Sequence, residues 1–338
     1  MSPLPSSNAV DVLIVGAGAA GLSAALALAR ARRSTVVFDS GVFRNKPAKR
    51  LHNLLTWDHQ DPANLRAAAR KELLEGRYNT TQWVSKVVTS LSKQSDGKFK
   101  AVDASGAEWF GDRLVLATGV KDMFPDIPGF AECWGKSIHH CMFCHGFEET
   151  GAASAGVLAT ELLSNREMCV MLASMARQFV GSIVIYTNGS EEVAAEIQSV
   201  LPTTALNYTI DTRKISKVAP VRAEDEEGSV GGITLYFPDD DSTTHAFLAY
   251  HPRTSANVGG FEELGLELSS SGGEIKTSGP FQETNVPGCY AVGDVGNPMK
   301  ALVMAMAAGS VMGPAIVHSL IKEGNTGAWE PKVSDHSF

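Results

Sequence analysis

Two cysteines stand close together in the segment HHCMFCHGFE, residues 139 to 148. Cys141 and Cys144 have the C-x-x-C spacing of a redox dithiol, in which one thiolate attacks and the other resolves. A zinc site would need two more ligands, and no second C-x-x-C or Cys/His pair occurs at ligand spacing. The pair therefore predicts thiol–disulfide chemistry, and no metal is expected despite the three neighbouring histidines.

A second chemical signal is a glycine pattern near the start of the chain. Gly16, Gly18 and Gly21 follow the apolar run VDVLIV and open a run of small residues suited to a helix. The first glycine permits the turn, the second lets a pyrophosphate approach the backbone, and the third lets helix and strand pack. Asp39 ends the next apolar run, near the spacing at which an acid binds a ribose hydroxyl. The pattern predicts a bound dinucleotide without distinguishing NAD from FAD.

These motifs need a parallel sheet to position them. Short strand-like runs stopped by glycine recur at 112–119, 182–189 and 288–294 and alternate with helical stretches. This order predicts an α/β fold of Rossmann-like layers, and 338 residues suit two domains. The polar, acidic stretch 220–232 is predicted to be a surface hairpin or loop.

Composition excludes several classes of function. The net charge of −8 and the lack of a Lys/Arg cluster argue against a nucleic-acid partner. Five cysteines are an odd number, which argues against a secreted disulfide framework and favours a reducing, cytoplasmic compartment. The first ten residues lack signal-peptide features and are expected to form a loose tail. The apolar run 301–317 contains two glycines and a proline and is expected to be a buried helix rather than a membrane span.

The order of motifs resembles the thioredoxin reductase family over nearly the whole chain. The segment GCYAVGDV at 288–295 and ATG at 117–119 are similar to the motifs that flank an inserted domain in those FAD flavoproteins. The resemblance implies a discontinuous FAD domain over 1–119 and 247–338. A smaller domain over 120–246, similar to the NADPH domain and carrying the C-x-x-C pair, would interrupt it. A homodimer is also implied.

The same resemblance implies which residues contact FAD. Asp294 would bind a ribityl hydroxyl, and His52 would reach the flavin. The full set of implied cofactor contacts is Gly16, Gly18, Ala19, Ala20, Gly21, Asp39, Ser40, Arg44, Asn45, His52, Ala117, Thr118, Gly119, Gly293, Asp294, Lys300 and Ala301. The family usually has Arg-Gln-Ala where this chain has Met-Lys-Ala at 299–301, so the flavin contacts there are open.

Catalytic roles follow from the resemblance too. Cys144 would face the flavin, and Cys141 would exchange with the substrate sulfur. The family has an acid after the second cysteine, whereas this chain has His145. A histidine of ordinary pKa, near 6.5, takes a thiol proton at neutral pH more readily than a carboxylate does, so His145 is the expected base. His140 either assists it or only packs locally.

One family motif is missing. Residues 157–180, where a second glycine fingerprint would hold NADPH, contain no glycine, and the run SIVIY is followed by TNGSEE, with acids where cations would bind a phosphate. Electrons are then expected to pass from a substrate dithiol to the cysteine pair, to FAD and to O2. This resembles the dithiol oxidases of epidithiodiketopiperazine (gliotoxin-type) and holomycin biosynthesis, and the segment NKPAKRLHNLLTWDHQDP fits that branch.

Three hypotheses remain open on the sequence alone. The first is an FAD-dependent oxidase that closes a disulfide in a small-molecule dithiol and releases H2O2. The second is an NADPH-dependent disulfide reductase with an atypical nucleotide site. The third is a flavin-binding protein without enzymatic activity.

Overall fold

The computed structural model describes residues 8–201, 207–222 and 231–325. Most of the predicted N-terminal tail, and residues 223–230 of the predicted loop, lie outside these ranges. The first strand begins at Ala9, so the last two residues of the predicted tail belong to a strand. Contacts divide the chain into two units. Within the described residues, unit 1 comprises 8–43, 66–120 and 256–325, and unit 2 comprises the remainder.

The α-helices are few and vary in length. They are α1 (Ala19–Arg30), α2 (Pro62–Glu75), α3 (Phe130–Cys133), α4 (Met142–His145), α5 (Arg166–Ala176), α6 (Glu191–Val200) and α7 (Leu302–Lys322).

The strands are mostly short. They are β1 (Ala9–Val15), β2 (Thr35–Phe38), β3 (Thr81–Val84), β4 (Val88–Lys93), β5 (Phe99–Asp103), β6 (Glu108–Leu116), β7 (Val120–Met123), β8 (Ile138–His139), β9 (Ala152–Leu158), β10 (Val180–Tyr186), β11 (Tyr208–Asp211), β12 (Lys217–Pro220), β13 (Ile233–Tyr236), β14 (Ser242–His245), β15 (Leu248–Ala249), β16 (Arg253–Ala256) and β17 (Cys289–Ala291).

Unit 1 is built on one sheet with the order β3-β2-β1-β6-β5-β4, and β17 also pairs with β6. Strands β3, β2, β1, β6 and β17 run parallel to one another, whereas β5 and β4 extend the sheet in antiparallel pairs. Strand β2 is buried at every position because the sheet is covered on both faces. The carboxyl ends of β1, β6 and β17 therefore meet at one edge, where ligands bind in such sheets.

Helix α7 contains the apolar run that the sequence predicts to be buried. It is the one described helix long and apolar enough to cross a membrane by length and composition. It packs closely on α1: a Cβ on Gly309 would lie 2.1 Å from the Ala20 carbonyl oxygen, and one on Gly313 would lie 2.9 Å from the Ala27 Cβ. Met312 and Ile316 are fully buried in the same core. The helix is thus a packed element of unit 1.

Unit 2 has its own parallel sheet, with the order β11-β10-β9-β15-β8. One face is covered by α5 and carries a core that includes Ile183 and Phe247. The opposite face carries a second core, which includes Phe130 and Tyr250. An antiparallel sheet, β12-β13-β14, completes the unit, and the predicted loop 220–232 joins β12 to β13. Unit 2 thus repeats the layers of unit 1 on a smaller scale.

The unit limits differ in detail from the predicted domain limits. Unit 2 spans 121–255 and also takes in 44–65, a segment that the prediction gives to the cofactor domain. The assignment of an FAD domain to 1–119 and 247–338 and of an insertion to 120–246 stays a prediction.

Candidate active site

The predicted redox cysteines are joined to each other. Cys141 and Cys144 form a disulfide. Cys141 precedes the single turn α4, and the amide of Cys144 donates to the Cys141 carbonyl at 3.1 Å. Both residues are partly exposed, whereas the other three cysteines are buried and unpaired. Burial raises the pKa of Cys169 and Cys289 to about 12, so these two thiols are unreactive at neutral pH.

Packing explains the residues around the disulfide. Met142 is buried and anchors α4. Gly146 is required because a Cβ there would lie 2.4 Å from the Phe179 ring and 2.6 Å from the Met142 carbonyl oxygen. In contrast, Phe143 and Phe147 are 74% and 78% exposed. Two aromatic side chains close in sequence to the cysteines are therefore available for an apolar ligand.

The predicted base, His145, ends α4 and stacks on His139, with ring centroids 4.6 Å apart. Burial, followed by the neighbouring His52, lowers the pKa of His145 to about 4. The pKa near 6.5 expected from the sequence is therefore not retained. The imidazole is neutral at pH 7 and can accept a proton, although it is a weaker base than a solvated histidine.

His140 makes a different ring contact from His145. Its ring stacks on Trp134 at 5.5 Å. Burial, and then the positive charge of Arg44, lowers the pKa of His140 to about 3. The guanidinium of Arg44 in turn donates to both carboxylate oxygens of Asp122, at 2.7 to 3.2 Å. The prediction that His140 assists His145 stays a prediction. The structure shows the His140 ring stacked on Trp134.

A histidine from a distant segment lies directly against the redox pair. His52 Nδ1 is 2.5 Å from the Cys144 carbonyl oxygen. Its Nε2 is 3.1 Å from His59 Nδ1 and 3.3 Å from a Glu148 carboxylate oxygen. The sequence indicated His52 only as a flavin contact and gave no role to His59 or Glu148. No motif links residues 52 and 144; the only signal was the number of histidines in the two segments.

In unit 1 the fold brings the predicted glycine motifs together. Gly16 has a φ of 113°, and a Cβ there would lie 2.3 Å from the Ala117 carbonyl oxygen. A Cβ on Gly21 would lie 1.8 Å from the Gly16 carbonyl oxygen, and one on Gly293 would lie 2.7 Å from the Ala20 Cβ. The fingerprint, the ATG segment and the GD segment therefore meet at the carboxyl edge of the sheet, with Asp294 next to Gly293.

Gly18 differs from these glycines, because the protein itself does not require it. Its φ is −72°, and a Cβ there would meet nothing within 4 Å. It is the N-cap of α1, whose first amides receive no side-chain cap, and Ala19 and Ala20 continue the helix without an acid in the first turn. The Thr118 hydroxyl nearby in ATG is buried without a hydrogen-bond partner among the described residues. Open space, uncapped amides and an unpartnered hydroxyl fit the phosphates of a dinucleotide.

The other predicted cofactor residues of unit 1 make local contacts. Asp39 and Ser40 follow β2, and their side chains accept from the amides of Gly41 and Val42. Gly119 accepts from the Asn257 amide, and Ala301 caps α7.

Lys300 forms an ion pair with Glu274 and donates to the Asn297 carbonyl. Arg44, Asn45 and His52 belong to unit 2, whereas the glycine cradle belongs to unit 1. Their contacts with a cofactor stay predictions.

The corresponding sheet edge in unit 2 is built differently. Between β1 and α1 the chain has three residues, 16–18, whereas between β9 and α5 it has seven, 159–165, which include a 3₁₀ turn. Asn165 caps α5 by accepting from the Met168 amide at 3.0 Å. Glu161 has a φ of 54° and pairs with Arg253 at 2.9 Å. Side chains thus occupy the place that glycines leave open in unit 1.

Comparisons with known proteins agree with this geometry. Residues 10–309 match the family model described as pyridine nucleotide-disulphide oxidoreductase. The chain is 44% identical to thioredoxin reductase aclD of Aspergillus oryzae over 92% of this chain and 96% of that protein. It is 40% identical to thioredoxin reductase sirT of Leptosphaeria maculans over 90% and 93%.

Among solved structures, an oxidoreductase from Agrobacterium tumefaciens is 30% identical, with a TM-score of 0.78 over 93% of this chain and 99% of that one. The predicted fold class, two Rossmann-like domains of which the first is discontinuous, is confirmed. The family predicted from the motifs is also confirmed, and the chain belongs to the pyridine nucleotide-disulphide oxidoreductase family of flavoproteins, as a thioredoxin reductase-like member.

Proposed function

We propose that this protein is an FAD-dependent dithiol oxidase, which closes a disulfide in a small-molecule dithiol and uses O2 as the electron acceptor. The observation that carries the proposal is the difference between two helix N-termini in one chain. The first turn of α1 offers uncapped amides, no acid and an open glycine. The first turn of α5 is capped by Asn165 and bears Glu167. One dinucleotide site is supported, and the second is not.

The residues around the second sheet edge support the same conclusion. Helix α6 is capped by Ser190, which accepts from the Val193 amide at 3.2 Å, and its first turn contains Glu191 and Glu192. Arg213 follows the end of β11. Its guanidinium forms ion pairs with Asp211 at 2.7 Å and with Asp241 at 2.6 Å. Carboxylates from Glu191, Glu192, Asp211 and Asp241 therefore lie on the elements that would supply cations to a 2′-phosphate.

The cysteine pair performs the oxidation of the substrate. A substrate thiolate attacks Cys141 Sγ, the Cys141–Cys144 bond breaks, and Cys144 leaves as a thiolate. The second substrate thiol then attacks the substrate sulfur of this mixed disulfide and releases Cys141. The substrate loses two electrons and two protons, and the cysteine pair gains both electrons. We assign acceptance of the thiol proton to neutral His145, which follows Cys144 directly in the sequence.

Bound FAD would take the two electrons from the cysteine dithiol and pass them to O2 as H2O2. Exposed Phe143 and Phe147 offer the apolar surface that a compact ring substrate needs. On the resemblance described above, we propose a reduced epidithiodiketopiperazine as the substrate class. Two thiols on one rigid ring lose little entropy when the second attacks, which favours closure. We also propose a homodimer, on family resemblance alone.

A second candidate, an NADPH-dependent disulfide reductase, has two observations in its favour. The relatives named above are called thioredoxin reductases. Lys214 is exposed, and its Cβ lies 4.0 Å from the position of a Cβ on Gly189, in the turn after β10. Lys214 follows β11 rather than β10, and it is a cation that a 2′-phosphate could use.

Anaerobic mixing separates the two candidates. We expect a small rigid dithiol to bleach the flavin, and readmitted air to return the flavin colour with one H2O2 for each disulfide formed. NADPH is expected to leave the flavin oxidised at millimolar concentration. Rapid bleaching by NADPH, with negligible oxygen uptake with dithiols, would establish the reductase instead. A flavin inert to both would indicate a protein that binds flavin without catalysis.

Gly18→Ala tests the cofactor site. Since a Cβ at Gly18 meets no protein atom, we expect the variant to fold with unchanged apoprotein stability and to bind FAD about tenfold or more weakly, because the methyl group meets the pyrophosphate. Gly259→Ala is the matched control, as its Cβ also meets nothing within 4 Å and its φ is not positive. Flavin fluorescence titration measures both affinities, and equal affinities in the two variants would contradict this use of Gly18.

A further inference from the structure

Three potential metal ligands converge beside the redox pair. They are His52 Nε2, His59 Nδ1 and a Glu148 carboxylate oxygen, and their ligand atoms all lie within 4.8 Å of one another. The side chain of His52 is 9% exposed and that of Glu148 is 37% exposed, while His59 lies at the surface. The cluster is therefore anchored on one side and open to solvent on the other.

The spacing of these atoms fits one particular class of ion. A metal about 2.0 to 2.1 Å from each ligand, at tetrahedral angles, holds its ligand atoms about 3.3 to 3.4 Å apart. In the structure His52 Nε2 is 3.1 Å from His59 Nδ1 and 3.3 Å from the Glu148 oxygen. Two of the three separations therefore match this geometry, and one ligand atom from each of the three residues lies within 4.8 Å of the others. Two imidazoles and a carboxylate are also the donor set of open tetrahedral zinc sites, in which water takes the fourth position.

The other ring nitrogen of His52, Nδ1, already has a hydrogen-bond partner. The Cys144 carbonyl oxygen can only accept a hydrogen bond, so Nδ1 of His52, 2.5 Å away, donates to it. This leaves Nε2 as the ring nitrogen that faces both His59 Nδ1 and Glu148. Metal-binding histidines are oriented in this way, by donating their other N–H to a carbonyl or carboxylate. His52 Nε2, a ring nitrogen of His59 and a Glu148 carboxylate oxygen can therefore all offer lone pairs to a single cation.

We propose that His52, His59 and Glu148 form a zinc-binding site on the outer side of the Cys141–Cys144 pair. The sequence did not indicate it, because the ligands come from two segments more than 80 residues apart with no zinc spacing between them. Binding deprotonates the donors and releases any proton they hold. The bound ion would link the segment 51–60 to the residues that follow α4.

The test uses the oxidised holoprotein without any dithiol, so that neither cysteines nor substrate can chelate the metal. With ZnCl2 alone, we expect one Zn²⁺ bound per chain by titration calorimetry and a rise in Tm with zinc concentration. Glu148→Gln and His59→Asn should each weaken binding at least tenfold and abolish the rise in Tm. Asparagine suits the φ of 64° at His59, so that variant keeps the backbone.

Glu149→Gln is the matched control, because it removes one carboxylate charge at the adjacent position and should leave zinc affinity unchanged. Mg²⁺, which prefers oxygen ligands, should not bind at millimolar concentration. The proposal is overturned if zinc binds equally to Glu148→Gln and the parent, if it binds weakly and without stoichiometry, or if Glu149→Gln weakens it as much. Each readout is independent of oxidase activity, so failure here leaves the proposed function unaffected.

Discussion

Cys144→Ser is expected to abolish dithiol turnover, with a loss of about 10³-fold or more, because the disulfide that accepts the substrate's electrons cannot form. Cys141→Ser should fail to the same degree. Neither residue lies in the unit that carries the glycine cradle, so both variants should keep their full FAD content. Oxygen uptake with a rigid dithiol measures turnover, and absorbance of the flavin measures cofactor content.

The two variants should differ in their spectra. If Cys144 is the thiolate nearest the flavin, Cys141→Ser retains a long-wavelength thiolate–flavin absorbance band and Cys144→Ser loses it. Cys169→Ala is the control, since that thiol is buried with a pKa of about 12 and should be irrelevant to turnover. Full turnover in either serine variant would remove the dithiol mechanism.

Acidification from pH 7 to pH 5 is expected to destabilise unit 2 by about 5 kcal/mol or more. Burial lowers the pKa of His245 to about 4 and that of His139 further below its usual range, and both side chains are almost fully buried. His140 and His145, which are more exposed, shift in the same direction. Unfolded histidines have a pKa near 6.5, so the unfolded chain binds more protons below that pH. Each buried histidine then costs about 2 kcal/mol at pH 5.

This stability is fully present above pH 6.5 and is lost as the pH falls towards 4. Hydrogen exchange at pH 7 and pH 5, corrected for the intrinsic rate, should show lost protection in peptides from 121–201 and 231–255 before those from 8–43. His140→Phe keeps an aromatic ring on Trp134 and removes one titrating group. This variant should therefore lose less protection from hydrogen exchange between pH 7 and pH 5. Equal protection at both pH values would contradict the low pKa values.

Local patterns in the sequence were sufficient to predict the motifs. The glycine fingerprint specifies a backbone geometry, and Gly16 and Gly21 lie against Ala117 and each other as such a turn requires. The C-x-x-C spacing likewise predicted the Cys141–Cys144 disulfide. The turn from Gly16 to Gly21 and the C-x-x-C disulfide depend on residues within a few positions, so a local pattern is enough to predict them. The contact with Ala117 joins distant segments and follows from the order of strands in the sheet.

Contacts between distant segments could not be predicted in this way. The bond from His52 to the Cys144 carbonyl, and the approach of Glu148, depend on how 51–60 packs in unit 2. The ion pair between Lys300 and Glu274 likewise joins residues that no local pattern links. The low pKa of His145 also depends on burial, which no spacing in the sequence reports.

The packing of α7 on α1 affects the order in which the two units can fold while the chain is being synthesised. Gly309 and Gly313 lie against Ala20 and Ala27, so one face of α1 is covered by α7, which is made much later in synthesis. While a ribosome is still making residue 300, α7 does not yet exist, and this face of α1 has no partner. Residues 121–255 are complete by then and fold earlier. The packing of α1, which begins at the glycine cradle, is therefore completed only after α7 has been made, later than residues 121–255.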